Sequence, residues 1–291
     1  VHRPLRTALA FRPPVPSRRA LLWTARVGYA ARGVLYGTLG ALGAAAALEL
    51  RDEPPSLGDA LAAFLGLSWG PVLLAAVAAG LAAFAAWRLL QAWLDLPDAG
   101  DGLYGAVFRL GSLASAAAHG ALAVTAGMLA GAWLDAGSGG DLVREASEEA
   151  MEVPFGRLLV GAAGLLSAAN GVGQFAKARG PAFREIRADG LLMAAVRVAG
   201  LVGIAAKGTA FLVVGWLLLR AAWRARSREA GGLGRVFDAL GATSLDPALP
   251  VALGTGFILY GVFNVAKAWL HRLPDPQGPA RRRREPRSAS R

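Results

Sequence analysis

The stretch ARVGYAARGVLYG, Ala25–Gly37, sets two arginines and three glycines into the front half of an apolar run. Fainter versions return at Ser115 as SAAAHGALAVTAG and at Gly203 as GIAAKGTAFLVVG. Aligned on Ala31-Arg32-Gly33, Ala118-His119-Gly120 and Ala206-Lys207-Gly208, the copies carry a basic residue at one position, 87 and then 88 residues apart. A second marker, Gln91-Ala92, Lys177-Ala178 and Lys267-Ala268, follows the first by 59, 58 and 60 residues. Three residues before each of these stand Arg88, Gln174 and Asn264, polar in every copy. Two markers that hold register over three copies define a repeated supersecondary unit.

The solvent for that unit follows from composition. Of 291 residues, 55% are hydrophobic and only 18% are charged, and several apolar runs are long enough for helices that cross a bilayer. The net charge of +11 does not point to nucleic acid, because the basic residues flank the apolar spans. No cysteine is present, so disulfides, thiolate metal sites and a cysteine nucleophile are excluded.

Along the chain, residues 1–20 form a basic, Pro-containing arm that reads as disordered and cytoplasmic. The apolar run after it is too long for a cleaved signal peptide and holds Arg26 and Arg32. Repeat 1 is expected over 21–97, repeat 2 over 105–180 and repeat 3 over 194–272, each with two spans. The six spans are Leu21–Leu48, Pro71 onward to the WRLLQAWL end, Val107–Leu134, Leu158–Ala178, Ala194–Ala222 and Ala248–Leu270. Short amphipathic connectors, SLGDALAAFLGLSWG and GGLGRVFDALGATSLDP, read as interfacial helices, and Asp141–Glu152 as an acidic one. Residues 273–291 form a basic Pro/Arg-rich tail.

The fold expected is therefore all-α and integral to the membrane, six transmembrane helices as three tandem helical hairpins. Two spans per unit return the chain to its starting side, so the repeats are parallel, which permits a pseudo-threefold axis along the membrane normal. Nineteen Lys and Arg fall on the side of the termini and eight on the other, which orients both termini toward the cytoplasm. The basic run after span five, RAAWRARSR, is discordant; pairing with the acidic Asp141–Glu152 segment is the expected remedy.

These features resemble the bacterial membrane family known as domain of unknown function 1206. Arg26, Gly28, Tyr29, Ala30, Ala31, Arg32, Gly33 and Tyr36 match its Arg-x-Gly-Tyr-Ala-Ala-Arg-Gly start. Trp87, Arg88, Gln91 and Ala92 match its Trp-Arg-x-x-Gln-Ala end. The likeness runs over roughly residues 20 to 272, and the second copy departs most, with His119 for the cation and Ser115 for the first glycine. It implies three tandem two-helix repeats in a bacterial inner membrane and supplies no chemistry.

Arg32, His119 and Lys207 lie eleven to thirteen residues into their spans, about 16–20 Å deep. A charge at that depth faces a partner, a cavity or water. No Asp or Glu lies at similar depth. With Arg88 and Arg26 they are candidates for an anion or lipid site, suited to an anionic phospholipid headgroup; snorkelling of Arg32 and Lys207 is the competing account. Gln91, Gln174 and Asn264 read as interhelical hydrogen-bond groups. Gly33-x-x-x-Gly37 and Gly127-x-x-x-Gly131 fit close helix packing. Trp23, Trp69, Trp93, Trp133 and Trp269 fall near span ends, as an interfacial aromatic belt requires.

No phosphate-binding loop, dinucleotide fingerprint or zinc-protease motif occurs. The expectation is a non-catalytic inner-membrane protein with no cofactor or metal, and no nucleic-acid partner. It acts as an accessory or structural subunit among other membrane protein subunits. An anion or lipid transporter or channel is the alternative, and a cofactor-binding electron-transfer subunit a weaker one. What separates them is where the three basic side chains point.

Overall fold

A computed structural model describes residues 17–94, 102–131, 142–183, 186, 189–245 and 247–270. Most of the N-terminal arm, the C-terminal tail and Trp133 lie outside the described residues. The described residues form six long helices and three short ones. The long helices are α1 (Arg18–Ala47), α3 (Gly70–Leu94), α4 (Leu103–Ala130), α6 (Gly156–Ala178), α7 (Gly190–Arg224) and α9 (Ala248–Leu270). The short helices are α2 (Leu57–Ala62), α5 (Leu142–Glu152) and α8 (Leu233–Gly241), one in each connector between paired long helices.

Local sequence explains the ends. Ser56 opens α2 with a capping box, its hydroxyl accepting from the Asp59 N–H while the Asp59 carboxylate accepts from the Ser56 N–H. Glu49 and Ala225, 176 residues apart, both turn left-handed just beyond α1 and α7. Gly70 and Gly156 start α3 and α6 tightly folded back on the short helices before them; a Cβ there would strike the carbonyls of Phe64 and Ala150. The repeat therefore governs connectors as well as spans.

Five long helices, α3, α4, α6, α7 and α9, are long and apolar enough to cross a membrane. The sixth expected span, α1, has the length, but Arg26, Arg32, Tyr29, Tyr36 and its glycines dilute its hydropathy.

Packing runs from repeat to repeat. α3 packs along α4, α6 along α7, and α9 returns to pack along α1. Glycines permit two of these approaches. A Cβ on Gly40 would lie 2.5 Å from the Gly254 carbonyl oxygen, and one on Gly261 would lie 2.7 Å from that of Gly33. Gly215 meets Gly164 and Gly208 meets Gly171 in the same way. At the α3–α4 contact, α3 carries Ala78 and Ala85 where α6 and α9 carry glycine. Gly120 and Gly127 of α4 consequently have nothing within 4 Å of a Cβ position. The close packing expected of Gly33-x-x-x-Gly37 is present, and that expected of Gly127 is not.

Within repeats the pattern breaks once. α1 packs on α3 and α7 on α9, but α4 and α6 do not pack along each other. The residues give the reason. Gly28 sits on Phe84 and Gly80 on Ala31 in repeat 1; Gly203 sits on Tyr260 and Gly256 on Ala206 in repeat 3. At the corresponding places repeat 2 has Ser115 and Leu166, so the glycine-based close approach is not available to α4 and α6. Leu166 is exposed.

The basic run after α7 is held locally. Arg220, Arg224 and Arg226 surround the Glu229 carboxylate at 2.8, 3.4 and 3.8 Å. Their partner thus comes from the same connector rather than from the Asp141–Glu152 segment. Trp23, Trp69, Trp93 and Trp269 are exposed near helix ends.

Candidate functional site

None of the six long helices contains an aspartate or glutamate. Any basic side chain turned inward must therefore be satisfied by neutral groups. Arg32, His119 and Lys207 are all turned inward, only 5–7% exposed, and none makes an ion pair with a carboxylate among the described residues. Snorkelling does not describe them.

Tyr260 on α9 joins two of the three. Its hydroxyl accepts a hydrogen bond from Arg32 Nη2 at 2.5 Å and another from Lys207 Nζ at 3.1 Å. Aromatic faces supply the rest. The Arg32 guanidinium carbon lies 4.2 Å from the Phe84 ring centre, 5.5 Å from Tyr260 and 5.6 Å from Tyr36. Lys207 Nζ lies 4.9 Å from Tyr260, 5.0 Å from Tyr36 and 5.4 Å from Phe211. A desolvated cation over a ring gains about 2 kcal/mol. His119 packs on the other side of the cluster, its ring 4.7 Å from Phe84. Its Nδ1 donates to the Ser115 carbonyl at 2.7 Å, which leaves Nε2 as the acceptor of the neutral ring. That Nε2 and the Nε of Arg32 are buried and have no hydrogen-bond partner.

A second tier lies one to two turns away. Lys267 Nζ sits 4.6 Å from the Tyr29 ring centre and donates to its hydroxyl at 3.4 Å. Arg88 Nη1 donates to Gln91 Oε1 at 2.7 Å and stacks near Phe108. Arg26 stands apart, half-buried, over the Trp23 ring. The hydrogen bonds of Gln91, Gln174 and Asn264 run along their own helices: Gln91 accepts from Arg88, Gln174 Nε2 donates to Asn170 Oδ1, and Asn264 Nδ2 donates to the Tyr260 carbonyl. In each case a helical neighbour three or four residues away is in reach.

The three repeats thus bring their basic residues together, and Arg26 stays outside. Tyr260, the shared acceptor, was not singled out by sequence reasoning. A signal existed. Phe84, Asn170 and Tyr260 stand seven residues before Gln91, Lys177 and Lys267, at one position of the repeat. Chemically, the cluster can bind an anion: it offers cationic donors without a competing carboxylate. Among the described residues no group of His, Asp and Glu could hold a metal ion.

Sequence comparison agrees with the repeat. Three tandem matches to the family described as Domain of Unknown Function (DUF1206) cover residues 27–95, 110–180 and 202–271, each holding one pair of long helices. The chain is similar to the "Uncharacterized protein YxxB" of Bacillus subtilis (strain 168), 26% identical over 249 residues, which cover 83% of this chain and 88% of the relative. No solved structure matches. With its three matched segments coinciding with three helical pairs in register, this multi-pass membrane protein belongs to the DUF1206 family.

Proposed function

We propose that this chain is a non-catalytic protein of the bacterial inner membrane that binds an anionic, phosphate-bearing group at the centre formed by Arg32, His119 and Lys207. In this reading α1 is the sixth span, its arginine covered by α3 and α9. The three hairpins stand around a pseudo-threefold axis, and both termini are cytoplasmic. The observation that carries the proposal is the burial of two cations, Arg32 and Lys207, with His119 beside them, in a set of long helices without a single carboxylate. Neutral tyrosine and aromatic faces stabilise such charges only in part, and a buried charge without a counter-charge is expensive. An anion supplies the missing partner.

Native mass spectrometry of protein gently extracted from its own membrane tests this. The wild-type chain is expected to carry one discrete anionic mass, and the double variant R32Q/K207Q to lose it. Retention of the same mass by the variant overturns the proposal.

A second reading, an accessory subunit of a larger membrane assembly, is favoured by one feature: α4 and α6 present broad apolar faces that no other described residues cover. A stringent pull-down from native membranes that returns the protein alone rules that reading out.

A further inference from the structure

The repeat register makes the centre a ring of alternating positions. First helices contribute Arg32, His119 and Lys207; second helices contribute Phe84, Asn170 and Tyr260. Around the ring, Tyr260 touches both Lys207 and Arg32, Arg32 touches Phe84, and Phe84 touches His119. The remaining place belongs to Asn170, between His119 and Lys207. Its Oδ1 takes the Gln174 amide along α6, and the residue is exposed. The ring is open there. The helix packing is open at the same place, because α4 and α6 do not pair. Ser115 and Leu166 stand there in place of the glycines that close the other two hairpins.

Building on the anion-binding reading above, we infer that the gap between α4 and α6 is a side entrance through which the phosphate headgroup of an anionic phospholipid reaches the cationic centre. Three observations support the choice of occupant. The buried Nε of Arg32, a charged donor at the centre, has no partner. The charges around it are all positive or neutral, so charge complementarity selects an anion. The gap opens sideways, beside the exposed α6 leucines Leu165 and Leu166. A free phosphate ion would have to cross that hydrocarbon, whereas a lipid carries its phosphate in from the side and leaves its acyl chains outside.

The test uses the full-length protein in nanodiscs of phosphatidylcholine with phosphatidylglycerol as probe, bound lipid being counted by native mass spectrometry. Wild-type protein is expected to retain one phosphatidylglycerol, with no displacement by excess inorganic phosphate. R32Q/K207Q is expected to bind it at least about tenfold more weakly, the effect of losing one charge-assisted hydrogen bond. L166W, which fills the gap without touching the centre, is expected to show a loss of similar size. If R32Q/K207Q retains the lipid, the anion-binding reading falls and the entrance with it. If R32Q/K207Q loses it and L166W keeps it, only the entrance falls. Displacement by inorganic phosphate in wild type and L166W alike also overturns the entrance, because the anion then comes from water. The cysteine-free chain permits a readout that does not depend on a bulky substitution. In L166C, phosphatidylglycerol is expected to slow modification by a membrane-permeant maleimide relative to phosphatidylcholine alone, and equal rates overturn the entrance.

Discussion

At Tyr260 one hydroxyl serves two cations. It accepts from Arg32 and Lys207, which come from the first and third repeats, and its backbone carbonyl accepts from Asn264. Tyr260→Phe removes the shared acceptor and leaves both charges buried. The expected loss is about 2–4 kcal/mol, since a buried charged donor without its acceptor keeps its full desolvation penalty. Removing one charge as well should restore part of it, so the double variant Y260F/K207M is expected to unfold at a higher temperature in mild detergent than Y260F alone. A Y260F protein as stable as the wild type would mean that the hydroxyl does not hold the cations. The glycines give a second experiment with an internal control. Gly40, Gly127 and Gly215 are one repeat position, but a Cβ at Gly40 or Gly215 would overlap backbone and one at Gly127 meets nothing. Alanine at Gly40 or Gly215 is expected to destabilise by about 1–3 kcal/mol. Alanine at Gly127 is expected to stabilise by up to about 1 kcal/mol through helix propensity. Thermal unfolding of the three variants checks the signs.

At the scale of elements, the connectors keep neighbouring long helices in place. The junction of α7 and α8 is tied by Glu229 among Arg220, Arg224 and Arg226. Desolvation pushes the Glu229 carboxyl up, but the hydrogen bond and charge of Arg224, and then the charge and hydrogen bond of Arg220, outweigh it and hold it below the usual carboxylate range. A pKa depressed in the folded protein gives a contribution that is complete above the ordinary carboxylate range and is lost only as pH falls through the depressed value. Hydrogen exchange over residues 226–236 is therefore expected to stay slow down to the ordinary range and to quicken below it. In E229Q it should be fast already at neutral pH, with little further change on acidification. A wild-type junction that loosens well above the carboxylate range would contradict this.

Much of this level was legible in the sequence. The helix, short helix, helix order followed from apolar runs and repeat markers, because span length and register are local properties. The splayed middle pair was not anticipated. Its signal was on the page, in Ser115 and Leu166 standing where repeats 1 and 3 have glycine, but the consequence depends on what lies opposite, and that is a tertiary fact. Gly127 failed for the same reason: its motif is intact, and its neighbour α3 offers Ala78 where α9 offers Gly254. Glu229 was overlooked as a partner because one acid among four arginines looks like a minor interruption of a basic run.

For the whole molecule, three copies of one unit make an interior that no single copy can make. Each repeat supplies one basic residue from its first helix; at the matching place of the second helix, repeats 1 and 3 supply an aromatic and repeat 2 supplies Asn170. Arg32, His119 and Lys207 could be grouped from the sequence because they hold one position of the repeat, while Arg26, grouped with them, stays outside. The sequence was silent on Tyr260, because a lone tyrosine in an apolar helix reads as ordinary core. Divergence of the middle copy turns a closed repeat into an open one and gives the interior a way out to lipid.

The most direct measurement is an electron cryomicroscopy map of the full-length protein in nanodiscs containing phosphatidylglycerol. The account predicts density for a phosphate-sized group bounded by Arg32, His119 and Lys207, continuous with a tail leaving between α4 and α6. A centre filled by protein side chains alone, with α4 and α6 packed together, would contradict it.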